Sequence, residues 1–142
     1  YQGNNSRLDE MQAAFLAAKL PILDKMNEER RRIARRYLDG IKNPEVILPY
    51  VHEDCVPVWH IFAIRTKRRD ELEKWLNDHE IGTNKHYPIP IHMQECYKDM
   101  GFKQGDFPIA EEISATELSL PMFYGMTEEQ IQFVIDTINE FK

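Results

Sequence analysis

The hydrophobic period of this chain changes once, and that change confines it to a mixed α and β architecture. Up to Gly40 the apolar residues recur at helical spacing: Ile22, Met26, Ile33, Tyr37 and Ile41 share one face of a helix predicted over 21–40, which stops around Gly40. Before it, Met11-Gln12-Ala13-Ala14-Phe15-Leu16-Ala17-Ala18 is a run of good helix formers. Ser6, with Asp9 three residues on, predicts the N-cap of that first helix, and Pro21 breaks it and opens the next.

Beyond Gly40 the pattern shortens. Val46-Ile47-Leu48 reads as a short strand and Trp59-His60-Ile61-Phe62-Ala63-Ile64 as a longer, central one. A helix is predicted over 69–78 with Leu72, Trp75 and Leu76 as its core face, then a return strand over 81–86. A short helix over 93–100 ends at Gly101, another helix covers 108–117, and Leu118-Ser119-Leu120-Pro121 is extended. Thr127-Glu128-Glu129-Gln130 is a capping box for a final helix whose face is Ile131, Val134, Ile135 and Ile138. Together these elements describe an α+β fold, in which long helices precede a small, mostly antiparallel sheet with flanking helices.

With 142 residues the chain is one domain or one piece of a larger one. Its start without Met, at Tyr1-Gln2-Gly3, reads as an excised piece. A net charge of −6 argues against nucleic acid or an anionic membrane as partner. The dense basic run Arg30-Arg31-Arg32 with Arg35 and Arg36 lies in a helical stretch beside Glu28 and Glu29, and reads as a solvated or interface face. Cys55 and Cys96 belong to no CxxC pattern, so neither a zinc site nor a disulfide framework is expected and a reducing compartment is. No apolar run reaches membrane-spanning length.

Two segments carry chemistry. His86-Tyr87-Pro88-Ile89-Pro90-Ile91-His92-Met93-Gln94 sets two imidazoles, a phenol and an amide around a proline-stiffened turn, since each proline fixes its own φ and biases the residue before it. Polar groups held on rigid backbone suit a small-molecule site; the alternative is an ordinary loop with two surface histidines. Upstream, Gly3-Asn4-Asn5 stands directly before a helix start, where free N–H groups and the positive end of the dipole favour phosphate; the alternative is a plain cap with Arg7 paired to a carboxylate.

Gly3-x-Asn5-x-Arg7, Glu10-x-Gln12-Ala13-Ala14 and the unbroken His86–Gln94 segment together resemble the DegT/DnrJ/EryC1/StrS sugar aminotransferases, pyridoxal-phosphate enzymes of fold-type I. Arg30 to Tyr37, Trp59-His60 and Leu118-Ser119-Leu120-Pro121 echo the same pattern, which spans essentially the whole chain. Within the family the match leans to enzymes that aminate C3 of a nucleotide-linked 3-keto-6-deoxyhexose. The resemblance implies that residues 1–42 are interdomain helices, that 43–142 form the C-terminal small domain, and that the large cofactor-binding domain lies upstream.

It also implies site roles. Asn5 would reach across a homodimer to the cofactor phosphate of the partner subunit, with Arg7 organising the loop that presents it. His86 and Tyr87 would line the sugar-nucleotide pocket, where imidazole and phenol can bond sugar hydroxyls or pyrophosphate oxygens. His92 and Gln94 close the motif; for each, the alternative to touching substrate is a bond that holds the turn. No catalytic residue is expected in this chain, because the cofactor lysine would lie upstream; Lys85 receives no such role, and the chain alone is expected to be inactive. The implied whole is a cytoplasmic homodimer. It would use pyridoxal 5′-phosphate to move an amino group, from glutamate, to a keto sugar nucleotide in lipopolysaccharide, O-antigen or other glycan biosynthesis.

Other tempting residues read as structural. His60, at the head of an apolar strand, is expected to be a satisfied core histidine; Trp59, Trp75 and Phe62 are core; His52 and His79 are solvated. Ser119 has no visible base partner and is not a nucleophile candidate. Three rival readings are a catalytically inactive relative acting as a regulator or sugar-nucleotide binder, a stand-alone ligand-binding domain, and a metal hydrolase using His86 and His92. The last lacks a nearby Asp or Glu.

Overall fold

The computed structural model describes residues 9–142. Helix α1 (Glu10–Lys19) is capped by Asp9 rather than Ser6, which lies outside the described residues. The Asp9 carboxylate accepts from the backbone N–H of Met11 at 2.9 Å and of Gln12 at 3.4 Å, bonds that an N-cap supplies to orphan donors. Pro21 sits in a 3₁₀ turn, Leu20–Ile22, and α2 (Leu23–Gly40) follows. Only the C-terminal half of the expected α2 face is core: Ile33, Ala34 and Tyr37 are buried, Met26 is half-buried and Ile22 is exposed.

Two antiparallel strands, β1 (Phe62–Arg65) and β2 (Glu117–Leu120), pair in the register Phe62 to Leu120 and Ile64 to Leu118. Strand β1 starts later than expected because Trp59 has φ of +51°, which breaks the extended run before it. The other two expected strands shrink to single bridges on opposite edges, Ile47 with Arg65 and Asn84 with Ser119. Pro44 and Pro49 flank the first and Pro88 follows the second, and a residue without an N–H cannot extend a ladder.

Helix α3 (Arg69–Asp78) buries Leu72 and Leu76, and its half-buried Trp75 donates from Nε1 to the carbonyl of Thr137 at 2.9 Å. His79 is not solvated: its ring packs 4.2 Å from Trp75 and its Nδ1 lies 2.7 Å from the Trp75 carbonyl. The expected helix over 93–100 is instead two 3₁₀ turns, Ile91–Met93 and Glu95–Met100, separated by an extended Gln94 and closed by Gly101 at φ +79°. Helix α4 (Pro108–Thr116) ends one residue early, so Glu117 belongs to β2. Helix α5 (Glu128–Glu140) has both bonds of its capping box and buries Ile131, Val134, Ile135 and Ile138.

Alternation along the pleat sends Phe62, Ile64, Leu118 and Leu120 to one face of the sheet, where they meet α2, α3 and α5 in a single core. Tyr37 lies edge-on to Phe62 at 5.1 Å and donates to the carbonyl of Pro121 at 2.9 Å; burial pushes its phenol far above the ordinary range. The ends of α2 and α5 clasp each other. Asn43 donates from Nδ2 to the carbonyls of Ile138 and Phe141 at 2.7 and 2.8 Å, while Asn139 accepts from Lys42 N at 2.7 Å and donates to Gly40 O at 2.9 Å.

The basic run divides by role. Arg31 and Arg35 pair with Glu28 on the outer face of α2, as expected. Arg30 turns inward and donates to the carbonyls of Trp59 at 3.1 Å and Met122 at 3.0 Å, while Arg32 and Arg36 pair with Glu128 at the head of α5.

Candidate functional site

The second face of β2 carries Glu117 and Ser119, two residues apart and therefore side by side. The segment 83–87 covers them, so this face is buried too: Glu117 is 3% exposed and Ser119 5%. The backbone N–H of His86 donates to Glu117 Oε2 at 2.7 Å, His86 Nδ1 lies 2.9 Å from Ser119 Oγ, and the Ser119 hydroxyl donates to Glu117 Oε1. None of the ion pairs among the described residues involves Glu117; its oxygens are satisfied by an N–H and an O–H instead.

Bond polarity sets the state of the imidazole from both ends. A carboxylate only accepts, so the single proton of Ser119 is committed to Glu117, and the Ser119 oxygen must accept from Nδ1–H. At the other end the Asn84 carboxamide faces His86 Nε2 at 3.2 Å. Its orientation is fixed because Asn84 Oδ1 accepts from Lys85 N–H at 2.8 Å, which leaves Nδ2–H pointing at an Nε2 lone pair. Both constraints select the neutral tautomer with the proton on Nδ1.

Ser119 does have an imidazole partner, contrary to the sequence expectation, yet it remains no nucleophile. In a hydrolytic triad the carboxylate sits on the imidazole; here it sits on the hydroxyl and holds its proton away from any base.

His86, Asn84, Ser119, Thr83, Met122 and His60 line a cavity of about 300 Å³ with mixed polar and apolar walls. His60 is exposed at this cavity and is not the buried core residue expected. The Thr83 hydroxyl is buried without a partner among the described residues. Tyr87, joined to His86 through a cis peptide and edge-on to it at 5.5 Å, is 69% exposed and faces the other way. It borders an apolar groove of about 540 Å³ with Ile89, Ile91, Tyr97, Phe102 and Phe107.

His92 and Gln94 reach that groove rather than the His86 cavity. His92 is 9% exposed, packs on Phe107 at 4.8 Å, and bonds Glu111 Oε1 through Nε2 at 3.0 Å. Glu111 also accepts from the backbone N–H of Gly105 at 2.8 Å; that bond first, then His92 and the Phe107 N–H, hold its carboxyl below the ordinary range. This arrangement ties the 3₁₀ turns to α4. Gln94 is half-buried and its Oε1 lies 4.0 Å from the Cys96 thiol.

Lys85 Nζ lies 2.6 Å from Glu73 and 3.2 Å from Asp70, and the Glu73 bond foremost raises its pKa. A lysine held as a paired cation has no free amine to offer a carbonyl. Among the described residues no cluster of three or more His, Cys, Asp or Glu could hold a metal. Nor is any described helix long and apolar enough to cross a membrane. Asn5 lies outside the described residues.

The site residues that motif reading overlooked are Glu117, Asn84 and Glu111. Glu117 had a signal: Glu-Leu-Ser-Leu alternates with period two, and a strand covered on both faces must satisfy its polar side.

The profile of the DegT/DnrJ/EryC1/StrS aminotransferase family matches residues 1–139. The dTDP-3-amino-3,6-dideoxy-alpha-D-galactopyranose transaminase of Aneurinibacillus thermoaerophilus is 43% identical over 141 residues, which cover 99% of this chain and 38% of the relative. A pleiotropic regulatory protein of Geobacillus stearothermophilus is 42% identical over 142 residues, covering 98% of the chain and 38% of that protein. Among solved structures, S. venezuelae DesV superposes with a TM-score of 0.93 at 42% identity, covering 99% of this chain and 38% of that one. The chain thus spans less than two fifths of the length of these relatives.

Proposed function

This chain belongs to the DegT/DnrJ/EryC1/StrS aminotransferase family, and from that premise we propose that it supplies the sugar-facing wall of a sugar-nucleotide transaminase. Residues 1–42 would be interdomain helices and 43–142 the small domain, with the C-terminal half of α2 sharing the small domain's core. The observation that carries the reading is His86: an imidazole of one defined tautomer, backed by a buried carboxylate, lining a cavity large enough to admit part of a sugar.

The substrate is a nucleotide-linked keto sugar, with dTDP as the nucleotide by similarity to the Aneurinibacillus transaminase and C3 as the aminated carbon. His86 binds and orients the sugar from one side of the 86–87 peptide, and Tyr87 offers its phenol from the other. His92 and Gln94 shape the turn that carries them: the His92 ring is already occupied by Glu111, which favours the holding role over contact with substrate. Orientation is a substantial share of what a protein contributes to a cofactor reaction.

Pyridoxal 5′-phosphate would supply the electron sink and the amino-group carrier for transfer from glutamate to the keto carbon. Lys85 does not fit the role of cofactor lysine, because Asp70 and Glu73 hold it as a cation. By family resemblance that lysine and most of the cofactor site would belong to an upstream domain, and the 142-residue chain alone would be inactive. Asn5 would contribute from across a homodimer, to the phosphate of the cofactor in the partner subunit. A cytoplasmic place in glycan biosynthesis, such as that of lipopolysaccharide or O-antigen, follows from the same reading.

A second reading, an inactive regulatory relative, draws support from the similarity to the Geobacillus regulatory protein. One experiment separates the two. The full-length protein is mixed with pyridoxal phosphate and its absorbance recorded before and after glutamate. A bound-cofactor band that bleaches with glutamate establishes the transaminase; a spectrum of free cofactor, unchanged by glutamate, selects the regulator.

A further inference from the structure

We propose that Glu117 and Ser119 are positioning residues that fix what His86 asks of its ligand. They hold the proton on Nδ1, so that Nε2 meets the sugar nucleotide as a hydrogen-bond acceptor and selects a sugar hydroxyl over a pyrophosphate oxygen. This rests on the reading that His86 faces the sugar nucleotide, and goes beyond it by assigning the direction of the bond and the residues that set it.

The relay is anchored at its buried end. Glu117 lies on β2, inside the sheet, and accepts from the His86 backbone as well as from Ser119. The backbone donor is immovable, so Oε2 is always spent on it and Oε1 always faces Ser119. Each later proton follows: Ser119 gives to Glu117, and Nδ1 gives to Ser119. Nδ1 is thereby the inward nitrogen. Nε2 is the outward one, and its present neighbour is the exposed Asn84 carboxamide at a long 3.2 Å. A ligand hydroxyl can take the place of that amide and donate to the same lone pair. A phosphate oxygen has no proton to offer and would meet lone pair with lone pair.

Glu117→Gln changes one atom and is expected to reverse the whole relay. The His86 backbone N–H still needs an acceptor, so the new amide must turn Oε1 towards it and its NH₂ towards Ser119. Ser119 then accepts from the amide and donates to Nδ1, which forces the imidazole proton onto Nε2. The outward nitrogen becomes a donor, which faces the donor of Asn84 and no longer distinguishes a sugar hydroxyl from a pyrophosphate oxygen, since both can accept. The expected consequence is a KM for the sugar nucleotide shifted severalfold, because the outward bond reverses its direction, with kcat changed far less. Ser119→Ala cuts the relay and leaves a mixture of tautomers; Ser119→Thr, which keeps the hydroxyl, restores the wild-type preference.

The test is nitrogen NMR of the full-length protein labelled with ¹⁵N-histidine, with dTDP-glucose as the ligand probe. The expected result is a protonated Nδ1 and bare Nε2 in the wild type, the reverse in Glu117→Gln, and movement of the wild-type Nε2 signal on titration. A wild-type His86 protonated on Nε2, or a Glu117→Gln spectrum identical to wild type, overturns the relay whatever the ligand does. A tautomer that reverses in Glu117→Gln while dTDP-glucose leaves Nε2 unmoved overturns the hydroxyl selection, and with it the placement of His86 at the sugar. Because Glu117→Gln is nearly isosteric, it carries the test even if Ser119→Ala does not fold.

Discussion

Asn43 spans the end of α5 with one NH₂ group, giving a hydrogen bond to each of two carbonyls, that of Phe141 and that of Ile138, which also accepts from the Phe141 N–H at 3.3 Å. Its replacement by alanine leaves the Phe141 carbonyl without this donor, and is expected to cost about 1–3 kcal/mol. Urea denaturation reads this directly, and Asn43→Asp, which has no proton to give, should not rescue it. Glu111 makes a different prediction, in pH. Its folded carboxyl is held below its ordinary value near 4.5 by the Gly105 N–H and then by His92, so it binds protons more weakly folded than unfolded. The stability it contributes is therefore complete above that ordinary value and fades as pH falls through the folded one. A melting-temperature difference between wild type and Glu111→Gln should be constant near neutrality and shrink below about pH 4.5.

At the scale of elements, the end of α2 shows how a residue can be right for an unexpected reason. Gly40 is the last residue of the helix rather than a left-handed cap; a Cβ there would stand 2.8 Å from Cδ1 and 3.0 Å from Cγ2 of Ile135 on α5. Gly40→Ala thus sets better helix propensity, worth about 1 kcal/mol, against overpacking of about 1–3 kcal/mol. The second should prevail and lower the denaturation midpoint, whereas at Gly82 the added methyl meets nothing within 4 Å and should be near neutral. Elements with their own local signature were legible in the sequence: α3 by its apolar face, α5 by its capping box, the 3₁₀ segment's stop by Gly101. What failed depended on distant partners. Val46-Ile47-Leu48 has strand composition but one bridge, because flanking prolines deny it a ladder. His60 sits beside core residues in sequence, yet the turn at Trp59 swings it out to the cavity wall. In the candidate site, the His86–Gln94 motif marked the loop that borders the cavity; the alternation of Glu117 and Ser119 was legible, but not their bonds to His86, which join β2 to a loop 31 to 33 residues upstream.

Among the described α-helices, α1 and α4 bury no residue in the core, and α1 leaves the more continuous apolar face. No residue of α1 is buried, and Met11, Phe15, Leu16 and Leu20 are each more than half exposed. Since the chain spans 38% of the Aneurinibacillus transaminase, α1 is suited to pack against the remainder of such a protein. The isolated chain should self-associate through this face in sedimentation experiments. Phe15→Asp together with Leu20→Asp should return it towards monomer without moving its melting temperature, because neither side chain touches the core. The clasp between α2 and α5 has a further consequence, for synthesis on the ribosome. The Asn43 amide protons and the Gly40 carbonyl find their side-chain clasp in residues 138–141, so α2 is made well before the helix it clasps. Until α5 emerges from the exit tunnel, the part of the core that α5 covers waits in the open, where chaperones can bind it, and a nascent chain stalled before Thr127 should be more protease-sensitive than the finished one.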